Sequence, residues 1–488
     1  MNEQSSKQSC RIAVIGCGPA GIAIARELLL KGFEKISVLE KNSAAGGTWH
    51  QHSYPGLACD VWAHSYSYSF APNPDWSANF VERDEIEAYL QRCAREFGVD
   101  RLTRFNTCVT AAHYQGDGRW ELTLNNSEKE IFDVVINAGG NQHTPQMPNI
   151  EGIERFAGPS WHSTHWDHSV DLQGKRVALI GSAAAAVQIV PELINTAKHL
   201  TVIQRRPNWI MERGRKPYSE FQKRLFSAFP PSLKLVRKIQ GFFMGLVYQA
   251  ATMGHKRMRD FENMALKHLD SKVDDPKLRK SLVPSSNYGC QRGLVSDGYY
   301  DALQADNCEL ITDAAAEITT TGVKTESGRH IDADIIVYCT GYKVMDFDRF
   351  DVIGENRENL TDKMAQAPEA YKGMAVPGFP NYFYVIGPNG LLLSASYFVT
   401  VEICVEALAR LLSDKADRKI QVLNVKPELH KKFSEWIAVH VSNFSWGHSS
   451  CNSYYRSESG HAPFLYPGSI KQYKQMKAEC GLHEYQLE

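Results

Sequence analysis

The sequence lacks several features that mark particular classes of protein. Its eleven cysteines include no Cys-x-x-Cys pair, which argues against a disulfide reductase because such an enzyme needs a redox-active dithiol. Neither sign of charge dominates, since 54 Lys and Arg oppose 55 Asp and Glu without a long run of either. We therefore expect neither nucleic acid nor an anionic membrane surface as the main partner.

Signals for export and for membrane insertion are also missing. The polar residues 1–10 do not form a signal peptide, and together with the scattered cysteines they favour a cytoplasmic protein. The apolar stretch 242–251 is far shorter than the ~20 residues of a membrane span. The sequence has no low-complexity tract, and no metal site is predicted.

What the chain does have is a pair of strand-turn-helix units that are typical of dinucleotide binding, and its 488 residues allow two or three domains. In the first unit an apolar run leads into Gly16, Gly18 and Gly21. These glycines permit a tight turn, a close approach to a pyrophosphate and close packing of helix on strand. The next apolar run ends in Glu40, where a carboxylate can bind ribose hydroxyls.

The second unit begins near Lys175 and departs from the glycine pattern. Gly181 opens its turn, but Ala183 replaces the middle glycine and adds a methyl group where backbone and phosphate should touch, so we expect weaker binding. The following strand delivers Arg205 and Arg206 where NAD-binding units carry an acid. Guanidinium groups there suit the 2′-phosphate of NADPH, and two solvated surface arginines are the alternative.

Two longer motifs resemble the paired fingerprints of type I Baeyer-Villiger monooxygenases. One covers 46–60, from Gly-Gly-Thr-Trp to Cys-Asp, and the other covers 156–167. The second ends in Trp-Asp, where the related flavin-containing monooxygenases usually carry Phe or Tyr in place of Trp. The resemblance, which extends from Arg11 to about Tyr473, implies an FAD enzyme that uses NADPH and O2. It implies insertion of one oxygen atom into a small-molecule ketone through a C4a-peroxyflavin, giving an ester or lactone.

The same resemblance implies an α/β fold of two Rossmann-like dinucleotide-binding domains with a helical insertion. It assigns 1–152 to the first part of the FAD domain, 153–337 to the NADP domain and 338–488 to the second part of the FAD domain and a C-terminal segment. The insertion is expected at about 215–285. Its apolar stretch is interpreted as a wall of the substrate cavity or a helix-helix contact, with peripheral membrane attachment as a less favoured alternative.

Single residues also receive roles from the resemblance. Arg292 is expected over the flavin as a catalytic residue that stabilises negative charge, with Asp60 positioning it, and a salt bridge that merely joins two domains is the alternative. His162 is expected to orient a linker without transferring protons, and plain packing is equally open. The residues expected to bind FAD or NADPH are Gly16, Gly18, Gly21, Glu40, Gly47, Thr48, Trp49, Cys59, Asp60, Tyr66, Val109, Gly181, Ser182, Ala183, Gln188, Arg205, Arg206, Arg292 and Asn389. The fingerprint residues of the linker are Phe156, Gly158, His162, Trp166 and Asp167.

Three positions depart from the family pattern. Ala58 stands in place of an arginine, Gln291 in place of a lysine and Tyr454 in place of a tryptophan. Two cationic contacts are therefore missing, and together with Ala183 they suggest a flavin-binding protein without turnover as one alternative. The other alternative is the related flavin-containing monooxygenase, which oxidises soft nitrogen or sulfur and for which Arg292 should be dispensable.

Overall fold

The architecture was determined from a computed structural model that describes residues 6–344, 346, 349–451, 455–457 and 460–488. Tyr454 lies outside the described residues. The described strands are β1 Arg11–Ile15, β2 Lys35–Leu39, β3 Thr103–Arg104, β4 Val109–Tyr114, β5 Trp120–Leu124, β6 Glu128–Phe132, β7 Val134–Asn137, β8 Ser160–His162, β9 Arg176–Ile180, β10 His199–Ile203, β11 Ile210–Met211, β12 Leu294–Val295, β13 Cys308–Ile311, β14 Ala315–Thr319, β15 Gly322–Thr325, β16 His330–Asp332, β17 Ile335–Tyr338, β18 Asp351–Ile353, β19 Tyr382–Tyr384, β20 Leu423–Val425 and β21 Tyr485–Leu487.

α-Helices separate β1, β2 and β3, whereas β3 to β9 follow one another without an intervening α-helix, and four helices fall within 220–281. The described α-helices are α1 Ser6–Ser9, α2 Pro19–Leu30, α3 Thr48–Gln51, α4 Arg83–Glu96, α5 Ala184–Leu193, α6 Glu220–Ala228, α7 Pro230–Ala250, α8 Lys256–Lys272, α9 Pro276–Ser281, α10 Tyr299–Ala302, α11 Leu360–Gln366, α12 Tyr397–Asp417, α13 Pro427–Val441 and α14 Ile470–Ala478. Several begin where a side chain caps free backbone N–H groups, as Ser219 does for α6 and Ser469 for α14.

The first lobe is built on a parallel sheet with strand order β19-β7-β1-β2-β3. Its central strand β1 is buried from Ile12 to Val14, because the faces of such a sheet are covered by other elements. Among those covering elements are α2 and α12, which pack against each other. The sheet β18-β4-β5-β6 is attached to this lobe through a second cluster of buried apolar residues.

The second lobe contains a separate parallel sheet with strand order β13-β10-β9-β17-β8. Strands up to β7 belong to the first lobe, β8 to β17 belong to the second, and β18 and β19 return to the first. The chain thus has the predicted α/β class with two Rossmann-like lobes. The domain boundaries at 152 and 337 stay predictions, although β17 runs one residue past the latter.

The predicted insertion near 215–285 is helical and consists of α6, α7, α8 and α9. Its longest helix, α7, has 21 residues but buries only Leu233, Gln240 and Ala250. None of the helices in the described ranges combines the length and the apolar character that crossing a membrane requires.

Candidate active site

The turn after β1 has the geometry that its glycine pattern predicts. Gly16 has φ +99°, and a Cβ on Gly21 would lie 1.9 Å from the Gly16 carbonyl oxygen, so no side chain fits between strand and helix there. Glu40 is held at the end of β2, where one carboxylate oxygen accepts the Cys17 N–H at 2.7 Å and the other accepts the Asn42 N–H at 2.8 Å. The predicted ribose-binding acid therefore lies beside the predicted phosphate-binding turn.

A second glycine loop packs directly on this turn. Gly46 N–H donates to the Cys17 carbonyl oxygen at 3.0 Å. Gly47 has φ +58°, and a Cβ on it would lie 2.9 Å from the Gly18 Cα. Two stretches of main chain therefore meet at the N-terminus of α2 without side chains between them, which is the surface that a pyrophosphate needs. This arrangement fits the FAD group that the sequence predicts.

A small cleft opens at the carboxyl ends of β7 and β19. Clefts at this edge of an open parallel sheet are the usual ligand sites of α/β proteins. Its lining includes Ala20 from α2, Asn137 and Ala138 after β7, and Tyr384 at the end of β19. The residues predicted to close the first unit thus form one wall of this cleft.

Arg349 supplies a cation to the same cleft, and sequence reasoning missed it. Its Nη1 donates to the Gly139 carbonyl oxygen at 3.2 Å and lies 2.7 Å from His143 Nε2. Burial, with the neighbouring Arg349 as a second cause, lowers the pKa of His143 to about 3, so that this ring is neutral near pH 7. No motif surrounds Arg349, and only the fold brings it to Gly139.

The predicted flavin-side aromatics pack against each other. Trp49 Nε1 donates to the Tyr66 hydroxyl at 3.2 Å, and the two rings meet edge to face at 5.6 Å. Trp49 is buried in the main apolar core and Tyr66, which is partly buried, packs against it, so their predicted contact with a cofactor coexists with a packing role. Thr48 starts α3 beside them, with its hydroxyl 3.4 Å from the Gln142 carbonyl oxygen.

Val109 is buried at the start of β4, close to the predicted ribose-binding region. The segment before it runs alongside Glu40, because Thr107 N–H donates to the Glu40 carbonyl oxygen at 2.9 Å. Asn106 N–H donates to Asn42 in the same way at 3.0 Å. The position fits the predicted place of Val109 beside an adenine.

In the second unit, Ala183 takes the backbone conformation that Gly18 takes in the first. Ala183 precedes α5 with φ −87° and ψ −163°, and Gly18 precedes α2 with φ −81° and ψ −170°. This region of φ and ψ is open to any residue, so the alanine causes no backbone strain. The difference between the two turns is the exposed methyl group of Ala183.

The remaining predicted NADPH residues cluster around the same turn. Gly181 has φ +117°, and a Cβ on it would lie 2.3 Å from the Cys339 carbonyl oxygen. The Ser182 hydroxyl donates to the Arg206 carbonyl oxygen at 3.0 Å. Arg205 and Arg206 follow β10 and are exposed, at the strand end where an NAD-binding unit places its acid.

Gln188 on α5 contacts the first lobe. Its amide accepts the Tyr54 hydroxyl at 3.0 Å and donates to the Ala58 carbonyl oxygen at 2.9 Å. Between these residues Gly56 has φ +75°, and a Cβ on it would lie 2.4 Å from the Gln188 carbonyl oxygen. The two lobes therefore meet main chain to main chain at this point.

The two residues predicted to carry the chemistry are in direct contact across the lobes. Arg292 Nη2 donates to Asp60 Oδ1 at 2.6 Å, although 232 residues separate them in the chain. Their side chains are 40% and 24% exposed, so the pair faces open space and is not sealed in the core. Cys59 beside Asp60 is buried, and burial raises the pKa of its thiol, which keeps it neutral.

A second arginine, Arg213, lies on the other side of this loop and was not predicted. Its Nη2 donates to the Cys59 carbonyl oxygen at 3.3 Å, and its backbone N–H donates to Asp297 at 2.9 Å. The guanidinium lies 5.5 Å from the centre of the Phe80 ring. Burial lowers the pKa of Arg213, which nevertheless stays charged because an arginine pKa begins above 12.

A disulfide between Cys290 and Cys451 links the loop before Arg292 to the C-terminal part of the chain. The Cα atoms are 5.5 Å apart and the sequence separation is 161 residues. No spacing pattern joins two such distant cysteines, so the sequence did not predict the bond. Gln291, the predicted departure from the family pattern, lies between the bridged Cys290 and Arg292.

The predicted linker is tied to both lobes through a row of rings. His162 ends β8 and lies edge to face with Tyr342 at 6.4 Å, and Tyr342 stacks on His52 at 5.5 Å. Burial lowers the pKa of both His162 and His52 to about 4, so that both are neutral near pH 7. A neutral ring whose Nδ1 accepts the Thr164 N–H at 3.2 Å fits the predicted orienting role.

The other linker residues serve local packing. A Cβ on Gly158 would lie 2.5 Å from the Asp334 carbonyl oxygen, and Phe156 lies over the same glycine. Trp166 is buried edge to face against Trp161 at 5.6 Å. Asp167 accepts the Ser169 N–H at 2.9 Å within a local turn.

Asn389 does not direct its side chain toward the cleft. Its amide donates to the carbonyl oxygens of Ala462 and Leu465, both at 3.0 Å. The residue has φ +53°, which asparagine tolerates better than most residues. The structure thus uses this side chain to hold the C-terminal segment onto the turn after β19, and a cofactor contact would have to come from its backbone.

Two Rossmann-like lobes, each with a predicted phosphate-binding turn and in contact through an arginine-aspartate pair, are typical of proteins that bind two dinucleotides. The chain belongs to the flavin-binding monooxygenase-like family, whose family model matches residues 9–364. A Baeyer-Villiger monooxygenase of Pseudomonas aeruginosa is 32% identical to it over 99% of this chain and 92% of the relative. One from Streptomyces coelicolor is 34% identical over 98% of this chain and 92% of the relative.

Solved structures with the same fold include complexes with FAD and NADP together and with NADP. The complex of OTEMO with FAD and NADP (form 3) matches with a TM-score of 0.87 and 26% identity, covering 99% of this chain and 100% of the other. An oxidised steroid monooxygenase bound to NADP matches with a TM-score of 0.86 and 25% identity, covering 98% and 99%.

Proposed function

We propose that this protein is an FAD- and NADPH-dependent monooxygenase that inserts one atom of O2 into a ketone to give an ester or lactone. Family membership supports the monooxygenase class, and the Baeyer-Villiger relatives support the ketone as substrate. A cytoplasmic location is part of the proposal, since nine of the eleven cysteines are free thiols; the Cys290–Cys451 disulfide is then an exception to the reduced state that this compartment favours.

The observation that carries the proposal is the Arg292–Asp60 pair at the lobe junction. A guanidinium is permanently charged and presents several donors in a fixed plane, so it can stabilise an oxygen atom that gains negative charge. Asp60 uses one oxygen to hold Arg292 at 2.6 Å, which fixes the position of the cation. Because the pair is partly exposed, a substrate can reach it from the open side.

The nucleotides occupy the two turns in this proposal. Gly18 and Gly47 expose main chain to the FAD pyrophosphate, Glu40 binds the ribose, and Trp49, Tyr66 and Asp60 lie beside the ring system. When bound, FAD activates oxygen with electrons that NADPH supplies. Arg206 contacts the 2′-phosphate of NADPH at the exposed end of β10.

Arg213 offsets the loss of the arginine that the family carries at Ala58. Its side chain reaches the carbonyl oxygen of Cys59, directly beside Asp60, from a different part of the chain. One cation thus holds the backbone of this loop while Arg292 pairs with its carboxylate. In this proposal Arg213 positions Asp60 and does not touch the substrate.

The test compares ketone and thioether oxidation in the wild-type holoenzyme and in Arg292→Ala. Ester formation is expected to fall about a hundredfold or more, the loss typical of removing an electrostatic stabiliser of a developing oxyanion. Sulfoxidation is expected to fall much less, because a soft sulfur atom is oxidised without such an oxyanion. Asp60→Asn is expected to weaken ester formation while leaving flavin binding in place.

Three controls separate the alternatives. Flavin content is measured by absorbance in each variant, so that loss of FAD is not mistaken for loss of chemistry. Sulfoxide without any ester in the wild-type protein would identify a heteroatom monooxygenase. Absence of steady NADPH consumption by the flavin-loaded protein would identify a flavin-binding protein without turnover.

A further inference from the structure

The helices α6 and α7 carry a concentration of exposed apolar side chains. Seven of the thirteen large exposed apolar residues in the described part of the chain fall within 221–243. On α7, Leu235, Ile239 and Phe242 follow at spacings of four and three residues, which places them on one helix face. Their exposed fractions are 59%, 49% and 67%. Monomeric soluble proteins rarely leave such a stripe in water without a function.

The second helix extends this surface. Phe221 and Leu225, on α6, are four residues apart and are 75% and 41% exposed. Phe229, at the junction of the two helices, is 56% exposed. Since α6 and α7 pack against each other, the six side chains belong to one helical hairpin. We call this the hairpin surface; its residues are Phe221, Leu225, Phe229, Leu235, Ile239 and Phe242.

Positive charge surrounds the hairpin surface. The segment 215–243 contains seven Lys or Arg and a single acid, Glu220, whereas the whole chain has a net charge of −1. Five of the seven cations are exposed, while Arg237 is turned inward and pairs with Glu402. Lys234 and Lys238, one turn apart on α7, are exposed beside the apolar stripe, and Arg224 is exposed on α6. The surface thus combines an apolar face with cations, the pattern of a helix that lies in a membrane interface.

We propose that the hairpin surface docks on an anionic lipid bilayer, with its aromatic and aliphatic side chains entering the interface and its lysines contacting acidic headgroups. Charge decides against a second copy of this chain as the occupant, since two copies of the same basic surface would repel each other. Insertion across the bilayer is not proposed, because no helix in the described residues is suited to it. The inference is independent of the reaction at the lobe junction.

Vesicle co-sedimentation tests the proposal. The flavin-loaded wild-type protein is expected to pellet with phosphatidylcholine vesicles that contain phosphatidylglycerol and to pellet much less with phosphatidylcholine alone. Raised salt should weaken the binding, because the contribution of the lysines is screened. Hydrogen exchange of the wild-type protein should slow in 220–246 on addition of the anionic vesicles, which gives a measurement that needs no variant.

Two double variants test the two components of the surface. Lys234→Gln with Lys238→Gln is expected to weaken partitioning into anionic vesicles about 25-fold, since each lysine near such a surface contributes about fivefold. Leu235→Ser with Phe242→Ser is expected to weaken partitioning on the order of tenfold through lost apolar burial. Matched controls are Lys471→Gln with Lys474→Gln on α14 and Val439→Ser on α13, all at exposed positions.

The proposal is overturned if the wild-type protein pellets with neither kind of vesicle, or if the hairpin variants bind as strongly as the controls. It is also overturned if light scattering shows a wild-type dimer that Leu235→Ser with Phe242→Ser converts to a monomer, because the occupant is then a second copy. NADPH consumption in vesicle-free buffer should be equal in all these variants, which separates this outcome from a failure of the proposed reaction.

Discussion

The two turns expected to receive phosphates differ by one methyl group and hardly at all in backbone conformation. Gly18 and Ala183 both precede a helix with nearly equal φ and ψ. Glycine at this position is therefore needed for space and not for an unusual backbone angle. A glycine pattern alone does not tell whether a glycine is needed for space or for its backbone angle, and the comparison of the two turns does.

Removing that methyl group is expected to strengthen cofactor binding. Ala183→Gly should lower the Kd for NADPH about fivefold, which corresponds to about 1 kcal/mol, because the phosphate can then approach the backbone. Fluorescence titration of NADPH measures the change. Ala186→Gly, deeper in α5, is the control and should lower stability by about 1 kcal/mol without tighter binding. Unchanged affinity in Ala183→Gly would show that the nucleotide does not reach this turn.

Charge reversal after β10 is expected to change the nucleotide preference. Arg205→Glu with Arg206→Glu should lower the ratio of kcat/KM for NADPH over NADH on the order of a hundredfold, because carboxylates repel the 2′-phosphate and accept ribose hydroxyls. Steady-state kinetics with both nucleotides measure the ratio. Lys198→Glu, an exposed site just before the same strand, should leave it unchanged. An unaltered ratio in the double variant would favour the interpretation as surface arginines.

The residue scale also shows what sequence reasoning can reach. The pairing of Arg292 with Asp60 was predicted because both lie in motifs of a known family, and the structure forms it. Arg213 and Arg349 were not predicted because each donates to a main-chain carbonyl oxygen, that of Cys59 and that of Gly139 respectively. A carbonyl carries no residue-type signal, so only the fold reveals such a contact.

At the scale of elements, apolar runs and helical spacing predicted the strands and the insertion. They did not predict which face of each element is buried. The sequence placed helices in 215–285, and α6 to α9 occupy that region. The apolar stretch at 242–251 was interpreted as a cavity wall or a helix contact. Phe242, at its start, is 67% exposed, whereas Tyr248 packs on Phe444 and Ala251 is buried. Helical spacing indicates which residues share a face, whereas what covers that face depends on tertiary packing.

The disulfide is the connection between elements that is easiest to test. Peptide mapping without reductant should recover Cys290 and Cys451 in one linked species, since their Cα atoms are 5.5 Å apart. Cys451→Ser should lower the unfolding temperature, because a cross-link over this loop contributes about 5 kcal/mol in the chain-entropy model. Cys108→Ser, at an exposed free cysteine, is the matched control. Equal unfolding temperatures for the two variants would contradict a formed bond.

At the scale of the whole molecule, burial of neutral histidines ties stability to pH. Burial lowers the pKa of His52, His64 and His162 to about 4 and of His143 to about 3, while an unfolded histidine titrates near 6.5. The unfolded chain therefore binds more protons than the folded one as the pH falls below about 6.5. Their contribution to stability is complete above that value and is lost toward pH 4.

Acidification is accordingly expected to destabilise the protein well before its carboxylates titrate. Between pH 7 and 5.5 each of these four histidines should remove roughly 1 kcal/mol from the free energy of unfolding. Calorimetry at the two pH values should show a clear fall in the unfolding temperature. His64→Asn should reduce the fall, and His461→Asn, at an exposed site, should not. A pH-independent unfolding temperature over this range would contradict the assignment.

Gly56 lies at a close main-chain contact between the two nucleotide lobes. The space between its Cα and the Gln188 carbonyl oxygen admits a hydrogen atom but no side chain. A rotation of one lobe that keeps this contact has the contact as its pivot. The nucleotide-binding loops of the two lobes then move along arcs around residue 56, and the radius of each arc is the distance of that loop from residue 56. Even a methyl group added at Gly56 would push the two lobes apart and displace the nucleotide-binding loops of both.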